Sequence, residues 1–528
     1  MRRLVLTLLF LLPFCALRAQ EEHIVKAALY LSGASSEEEI PADWIERLED
    51  ARTVRINSPH LRPGVILTDY QVACILDYRA RSGDILSLDE LALVDGFSRE
   101  VVEALRPFLS LASERLPGQA DTIRRVRASA IVRTTLSTVG AKAKASGEFW
   151  RAGGAWRGKG WSAYAEGQWG RSRVLAGDFH ARWGQGLGIW TGFSMESLST
   201  VDAFVKRSTG LSPVWSYAPS NVLRGVSYEY SGRHIRAAAY AALNEAFGGH
   251  IDYLWRNGQV GVTVLLDKGN FSASLDSRYN WKGMDYVGEI GYKNRSVAGK
   301  AAVRGKWSED WKWAAQARVI PSQFSGKKYG EYALAFGTSY LQRNHHQLSL
   351  TADASLLPIS GTDPRRFQLR VYGVWQWNLT SAWLLDLRFT ERYRTYEAPR
   401  TDVRLDVKAN FNPWLSVLRV ETDYCDAWGF LGYWEGGYKA EKWASYLRVT
   451  GFWINQWSAR IYCYERDAPG TFSVPAYNGR GVALSLVGSL KWRIGRRFTL
   501  KAYLRAACQF RAGSAPAPTL NFQLQGDI

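Results

Sequence analysis

The sequence has 528 residues, of which 46% are hydrophobic and 13% aromatic, and its net charge at pH 7 is +18. Beyond residue 20 the longest apolar run, Ala237 to Leu243, is seven residues long. A membrane-spanning helix needs roughly 18 such residues, so the sequence excludes a helical membrane protein.

The first 19 residues are predicted to be a secretory signal peptide. Two arginines precede an apolar run from Leu4 to Leu17, and the small residue Ala19 follows it. This order of basic, apolar and small residues is typical of a signal cleaved near Ala19. A lipoprotein would be cleaved at Cys15, but the preceding "LPF" lacks the small residues expected there. We therefore expect an exported chain.

The charge is divided unevenly along the chain. Between Glu21 and Arg115 there are 18 acidic and 10 basic residues, a net charge of −8, whereas residues 116–528 carry +23. Leu, Glu and Asp at helical spacing dominate the first part, and Trp, Tyr, Gly and Arg at strand spacing dominate the second. Pro117 and Gly118 interrupt both patterns. We predict a signal peptide at 1–19, a helical domain at 20–115, a linker at 116–124 and a β-barrel at 125–528.

The second part alternates apolar and polar residues. From Arg497 to Phe510, one parity is apolar from Phe498 to Phe510, and the other holds Lys501 and Arg505. An extended chain puts these two sets on opposite faces. The same alternation occurs in three further windows, 367–378, 383–390 and 403–411, and no charge falls on their apolar parity.

On the order of 20 such runs follow Arg125, each about ten residues long, which is the strand length of a membrane barrel. Alternation alone also fits a soluble sandwich. The export signal and the Trp and Tyr residues near strand ends favour a large transmembrane antiparallel β-barrel, whose closure removes exposed sheet edges. We expect the last strand at Thr519 to Ile528. The aromatic examples are Trp150, Trp156, Trp161, Trp428, Trp434 and Trp443.

The polar parity of the four windows is mostly basic and is predicted to line the lumen. A basic lumen favours anions. Two alternatives stay open: these charges pair with one another, or they contact lipopolysaccharide phosphates at the rim. The basic residues are Arg370, Arg388, Arg404, Lys408, Lys501 and Arg505, against Asp386 and Asp406.

A glycine-rich stretch from Gly177 to Phe193 superficially resembles a nucleotide loop. It lacks the strand–turn–helix context and the lysine of a P-loop, so we reject that interpretation. Residues Ser194 to Arg224 do not alternate, and they are predicted to be either a long loop or a plug folded into the lumen. Scattered histidines and four unpaired cysteines, Cys74, Cys425, Cys463 and Cys508, match no metal or catalytic spacing. We predict no cofactor, no metal and no enzymatic activity.

The helical part resembles the helix-hairpin-helix pair of competence DNA receptors. The matching pieces are "RINS" at 55–58, "ILDYRARSG" at 75–83, "SLDELALVDGF" at 87–97 and "LRPFLSL" at 105–111. Together with the export signal, the large β-domain, the acidic segment from Ser35 to Ala51 and the "GDF…GQGL" segment, this arrangement is similar to Bacteroidetes outer-membrane proteins described only by that domain. The resemblance implies the architecture and little of the mechanism.

In the DNA-binding version of this hairpin, two turn glycines let backbone N–H groups approach a phosphate. This sequence keeps Gly96 but has Ser98 in the second position, and its first hairpin has neither glycine. A domain of charge −8 would also repel DNA, whose binding depends on Lys and Arg. DNA binding is therefore the disfavoured alternative. The hairpin residues are Ile66, Leu67, Thr68, Gly96, Phe97, Ser98 and Arg99.

We expect an outer-membrane channel or assembly component, in contact with lipid and lipopolysaccharide. Its helical domain, placed in the periplasm, would gate the barrel or dock a periplasmic or outer-membrane protein. A DNA-uptake protein is the alternative, and an outer-membrane enzyme is the second alternative.

Overall fold

The structure is a computed structural model. It describes residues 19–34, 40, 42–49, 51, 53–58, 61–112, 126–192, 198–217, 219, 221–342, 345–358, 366–471, 473–495 and 498–528. The predicted signal peptide, apart from its last residue, and the whole predicted linker lie outside these residues, so both stay predictions.

Residues 19–111 form a helical unit with one small apolar core. Its elements are α1 (Ala19–Ser32), α2 (Ala42–Glu49), β1 (Val54–Arg55), α3 (Asp69–Ser82), α4 (Leu88–Leu91), α5 (Arg99–Leu105) and β2 (Leu109–Ser110). The two short strands pair in parallel and bring the end of the unit back to its middle. The buried core includes Leu31, Leu48, Ile56, Ile75, Leu91 and Leu105.

Side-chain caps fix where α3 and α5 begin. Thr68 accepts a hydrogen bond from the Gln71 backbone, and the Gln71 side chain accepts one from the Thr68 backbone, which completes a capping box. Ser98 caps α5 by accepting from the Val101 backbone. Each cap satisfies a backbone N–H that the helix itself leaves without a partner.

The rest of the chain closes into an antiparallel barrel. The wall has 24 strands. An extra short strand, β8, pairs with the last residues of β7, next to the part of β7 that pairs with β9. The strands are β3 (Arg127–Thr135), β4 (Val139–Ser146), β5 (Trp150–Arg157), β6 (Gly160–Trp169), β7 (Ser172–Arg182), β8 (Gly210–Pro213), β9 (Leu223–Ser231), β10 (Ile235–Ala242), β11 (Ala246–Trp255), β12 (Gly258–Asp267), β13 (Asn270–Trp281), β14 (Met284–Lys293), β15 (Ser296–Lys306), β16 (Trp311–Ile320), β17 (Glu331–Gln342), β18 (His346–Leu357), β19 (Arg366–Asn378), β20 (Trp383–Arg394), β21 (Glu397–Phe411), β22 (Trp414–Cys425), β23 (Ala427–Lys439), β24 (Trp443–Ile454), β27 (Gly479–Ile494), β28 (Phe498–Arg511) and β29 (Ala517–Asp527).

Two further short strands, β25 (Ile461–Tyr462) and β26 (Ala476–Tyr477), form a separate ribbon between β24 and β27. A one-turn helix, α6 (Ser322–Ser325), connects β16 to β17. The barrel closes where β29 pairs with β3, so that Asn521 lies opposite Thr135. This closure confirms the predicted fold class, and the four alternating windows are strands.

The two ends of the barrel differ. At one, the short-turn end, each connection between consecutive strands spans four residues or fewer, and β3 begins and β29 ends there. The other, the long-loop end, carries the connections 183–222, 321–330, 358–365 and 455–478. Among the helices of the described residues, none combines the length and apolar character needed to cross a membrane.

The two faces of the wall are chemically distinct. On β12, Val262 and Val264 point outward with 47% and 45% of their surface exposed, whereas Thr263 between them points inward and is 1% exposed. Exposed aromatic residues form a band at each end, with Trp307, Trp375 and Trp414 at the short-turn end and Trp156, Trp161 and Trp428 at the long-loop end. An apolar outside with aromatic ends makes this a barrel of the outer-membrane type.

Candidate functional site

A segment folds into the lumen between β7 and β9. From the sequence it was predicted to be either a long loop or a plug. The connection 183–222 is named the first inward segment, and its described residues, 183–192, 198–217, 219, 221 and 222, turn back from the long-loop end into the barrel. Phe204 is fully buried against Ala314 and Ala335 of the wall. On the opposite flank, Trp183 stacks on His250 of β11 with ring centroids 5.1 Å apart. The plug interpretation is therefore the one that the structure adopts for the described part of this segment.

A single carboxylate fixes the glycine-rich part of this segment. Glu289 of β14 accepts hydrogen bonds from the backbone N–H groups of Gln185 at 2.7 Å, Leu187 at 3.0 Å and Gly188 at 2.8 Å. A Cβ at Gly188 would lie 2.4 Å from the Ser274 hydroxyl, so only glycine allows this approach. The backbone N–H groups of this stretch thus bind an anion, but the anion is the Glu289 carboxylate of the protein itself.

The helical unit is seated in the mouth at the short-turn end. Asp69, the first residue of α3, pairs with Arg236 of β10, and Glu100 in the first turn of α5 pairs with Lys312 of β16. Both cations are on inward-facing positions, next to outward-facing Ile235 and Trp311. Carboxylates in a first helical turn are also favoured by the helix dipole.

Aromatic and sulfur contacts add to this interface. The Arg278 guanidinium of β13 lies 4.5 Å from the centre of the Tyr70 ring, and the Cys74 thiol lies 3.9 Å from the Arg256 carbonyl oxygen. Burial raises the pKa of Cys74 to about 12, so its thiol stays protonated at neutral pH. Cys74 therefore serves here as a small packing residue, as the sequence suggests.

The helical unit also contacts the first inward segment. Arg207 donates hydrogen bonds to the Ile66 carbonyl oxygen and, at 3.3 Å, to the Gln71 side chain. The Thr200 hydroxyl donates to the Gly33 carbonyl oxygen at 3.0 Å. Burial lowers the pKa of Arg207 to about 10, which leaves the guanidinium charged at neutral pH. The helical unit, the first inward segment and the barrel wall are therefore all in contact with one another.

The predicted hairpin residues are brought together at this contact. Ile66 and Leu67 are buried, and the Gln71 side chain donates to the Gly96 carbonyl oxygen at 2.9 Å, which links the two hairpins. Gly96 has φ +81°, and a Cβ there would lie 3.0 Å from the Tyr70 ring. Phe97 and Ser98 are half-buried, and Arg99 is exposed.

A second inward segment, residues 455–478, also folds back from the long-loop end. Its Glu465 pairs with Arg505 of β28, and its Arg466 pairs with Glu435 of β23 at 3.1 Å. Beneath these pairs lies an apolar cluster of buried side chains from this segment and the wall. The cluster includes Leu431, Phe452, Ile454, Ala459, Ile461, Cys463 and Tyr477.

Most of the predicted lumen cations lie in ion pairs. The nitrogen–oxygen distances are 2.8 Å for Arg388 with Asp386, 2.6 Å for Arg404 with Asp406 and 3.0 Å for Lys501 with Asp527. Arg505 is neutralised by Glu465 in the same way. Arg370 and Lys408 are half-buried on the same inward-facing parity. Four of the six predicted lumen cations are thus paired with acidic residues, as one of the two alternatives from the sequence proposed.

Sequence reasoning missed several contact residues, because they pair with positions distant in the chain. Arg236 and Asp69 are 167 residues apart, and Lys312 and Glu100 are 212 apart. No spacing signals such a pair. Only the glycines around Gln185 carried a usable signal, since repeated glycine indicates close backbone approach.

No protein-family model matches the chain, and no curated protein matches it. Among solved structures, the outer membrane protein OpdK from Pseudomonas aeruginosa is 9% identical, with 76% of this chain and 99% of that chain covered and a TM-score of 0.32. The copper transporter OprC is 10% identical over 79% and 81% of the two chains, with a TM-score of 0.39. The FrpB iron transporter from Neisseria meningitidis is 7% identical over 77% and 81%, with a TM-score of 0.39. At these values nothing about the function of this chain follows from the likeness.

Proposed function

We propose that this protein is an outer-membrane channel that its own N-terminal helical unit closes at rest. The observation that carries the proposal is the pair of ionic contacts from Asp69 and Glu100 to inward-facing Arg236 and Lys312. These contacts hold a separately packed unit against the inner wall of the mouth. A unit with its own core can leave that position without unfolding the barrel.

The proposed orientation puts the helical unit in the periplasm. Short turns face the periplasm in bacterial outer-membrane barrels, whereas longer loops face outward. The helical unit binds at the short-turn end, where β3 begins and β29 ends. We expect the protein in the outer-membrane fraction, migrating faster in gels unheated than boiled. Recovery of the intact protein from the soluble periplasm would contradict this placement.

A disulfide tests the docked position directly. A Cβ built on Gly33 of the helical unit lies 3.2 Å from the Cβ of Ala203 in the first inward segment. Disulfides join Cβ atoms roughly 3.5–4.5 Å apart, so this pair needs to separate by only a few tenths of an ångström. Cells that produce Gly33→Cys/Ala203→Cys should therefore yield the linked pair of peptides, whereas the single variants should not. Absence of the linked pair from folded protein would contradict docking.

The closed arrangement also bears on the DNA-uptake alternative. The turn that approaches a phosphate in the DNA-binding version here has its Ile66 carbonyl bound by Arg207, and Gly96 lies over Tyr70. The first of these turns is therefore in contact with the first inward segment. Filter binding with duplex DNA should therefore show no salt-sensitive retention of the full chain, because phosphate contacts always weaken as salt rises.

Partner docking is the second candidate for the helical unit. Leu86 and Leu93, which flank α4, are 81% and 83% exposed. Two large apolar side chains this exposed at either end of one short helix favour a contact with another protein. We propose this surface as the place where a partner would pull the unit from the mouth.

A further inference from the structure

Three arginines lie directly opposite one another on neighbouring strands near the long-loop end. Arg370 of β19 is paired in register with Arg392 of β20, and Arg392 is paired with Arg400 of β21. All three are on the inward-facing parity, because the adjacent Tyr393 points outward with 44% of its surface exposed. Neighbouring strands are roughly 4.8 Å apart, so the three side chains leave the wall as one row.

The row is only partly neutralised by the protein. Arg400 pairs with Asp423 at 2.6 Å. Asp353, which lies opposite Arg370 on β18, is taken by Arg318 at 2.8 Å. Among the residues that the structure describes, neither Arg370 nor Arg392 makes a hydrogen bond or an ion pair.

A fourth arginine extends the row toward the rim. Arg394 pairs with Glu397, but its Nε is buried without a hydrogen-bond partner. Arg370, Arg394 and Arg400 all repel Arg392, and Glu397 and Asp423 attract it. Of these four guanidinium groups, two are in ion pairs, Arg394 with Glu397 and Arg400 with Asp423.

Like charges directly opposite on neighbouring strands destabilise a sheet. A row that keeps them gains stability when an anion lies between them. Guanidinium groups match oxyanions through parallel N–H donors, and strand spacing sets them at intervals suited to a ligand with more than one anionic group. This part of the wall therefore offers forked donors in a geometry that suits such an anion.

We infer that Arg370, Arg392 and Arg394 form a binding site for a solute that carries two or more carboxylate or phosphoryl groups, reached from the long-loop end. The inference deepens the proposed channel function, because it names the class of solute that the lumen would admit. The ion pairs of the helical unit fall on β10 and β16, so the site does not depend on its displacement.

The test is calorimetric titration of the full chain, folded in detergent, with citrate and with pyrophosphate as separate probes. Arg370→Gln/Arg392→Gln should weaken binding of at least one probe by about tenfold or more, since both forked donors are lost. The matched control is Lys159→Gln/Arg295→Gln, which removes two exposed charges from turns at the same end. The control should bind as the unchanged protein does.

A conservative variant separates a local role from misfolding. Arg370→Lys/Arg392→Lys keeps both charges but loses the forked donors. Its affinity for the probe should therefore fall between that of the unchanged protein and that of the Gln variant. Gel mobility unheated and boiled checks that each variant is folded. Undetectable binding of both probes at millimolar concentration by the unchanged protein, or equal binding by the Gln variant, overturns the site.

The two proposals fail separately. Probe binding without any conductance from the opened barrel would overturn the channel and leave the anion site in place. Conductance of the opened barrel without probe binding would overturn the site and leave the channel in place.

Discussion

The helical unit and the second inward segment both obstruct the lumen, but they are held in different ways. The unit's ion pairs are open to water on the acidic side, where the Asp69 and Glu100 side chains are 22% and 30% exposed, against 6% and 19% for their partners Arg236 and Lys312. The pair Arg505–Glu465 of the second segment is buried, at 7% and 9% exposure, above an apolar cluster. The segment is also joined to strands at both ends, whereas the unit is joined to the barrel only through residues 113–125.

This difference indicates which obstruction can move. Partly exposed ion pairs contribute less and weaken in salt, whereas breaking a pair whose two members are both buried leaves a charge in a medium that cannot solvate it. The helical unit also has its own core, which it would keep on leaving the mouth. In the proposed function the unit is therefore the gate, and the second inward segment is part of the fixed lining.

The largest effect is expected in the fixed lining. Glu465→Ala removes the closer carboxylate of buried Arg505 and leaves it only Asp467, 3.8 Å away, so the fold should lose about 3 kcal/mol, the lower end of the range for a broken buried pair. Urea denaturation of the protein in lipid vesicles measures it. Glu441→Ala, an exposed acid in the β23–β24 turn, is the control and should change little. Equal stability of the two variants would show that the second segment is as loosely held as the gate.

A smaller effect is expected where the first inward segment binds Glu289. Glu289→Ala removes the acceptor of three backbone N–H groups, and the segment should lose about 2–3 kcal/mol of local stability. Hydrogen exchange at residues 185–188 should accelerate, while Glu309→Ala in an exposed turn leaves it unchanged. Glu289→Gln keeps one acceptor oxygen, so its exchange rate at these residues should lie between those of the two Ala variants. Unchanged exchange in the Ala variant would mean that other contacts hold the segment.

The smallest effect is expected at the gate. Asp69→Asn/Glu100→Gln removes both ion pairs and should weaken docking by about 1 kcal/mol, roughly a fivefold shift toward the undocked form. Cys74 reports this shift, because undocking returns its pKa from about 12 toward the ordinary value and allows alkylation. Raising the pH above about 8.5 should favour undocking for the same reason.

Alkylation of the Cys74 peptide at pH 8 gives the measurement. The control is Asp89→Asn/Glu103→Gln, which removes the same charge from exposed positions of the helical unit. Equal labelling of the two variants would mean that the ion pairs do not hold the gate.

The barrel could be predicted from the sequence because its signal repeats in every strand. A period of two with uncharged outward positions is a local pattern, and Val262, Thr263 and Val264 show its result. The caps at Thr68 and Ser98 are local as well. Residue type and immediate neighbours are enough for such features.

The docking of the helical unit could not be predicted, because no local pattern encodes it. An acidic residue such as Asp69 is expected at the start of a helix whether or not Arg236 lies opposite it. The opposite charges of the two parts, −8 and +23, were the one general indication that they attract. Likewise, the row of Arg370, Arg392 and Arg400 exists only once strand register is known.

The central claim is that the helical unit is the removable gate, and conductance of the cleaved protein tests it most directly. A protease site placed within residues 116–124 lets the full chain fold before the unit is cut and removed in high salt. In planar bilayers the intact protein should be nearly silent, and the cleaved and washed protein should show steady channels. Equal conductance before and after proven removal of the unit, or silence in both, would contradict the account.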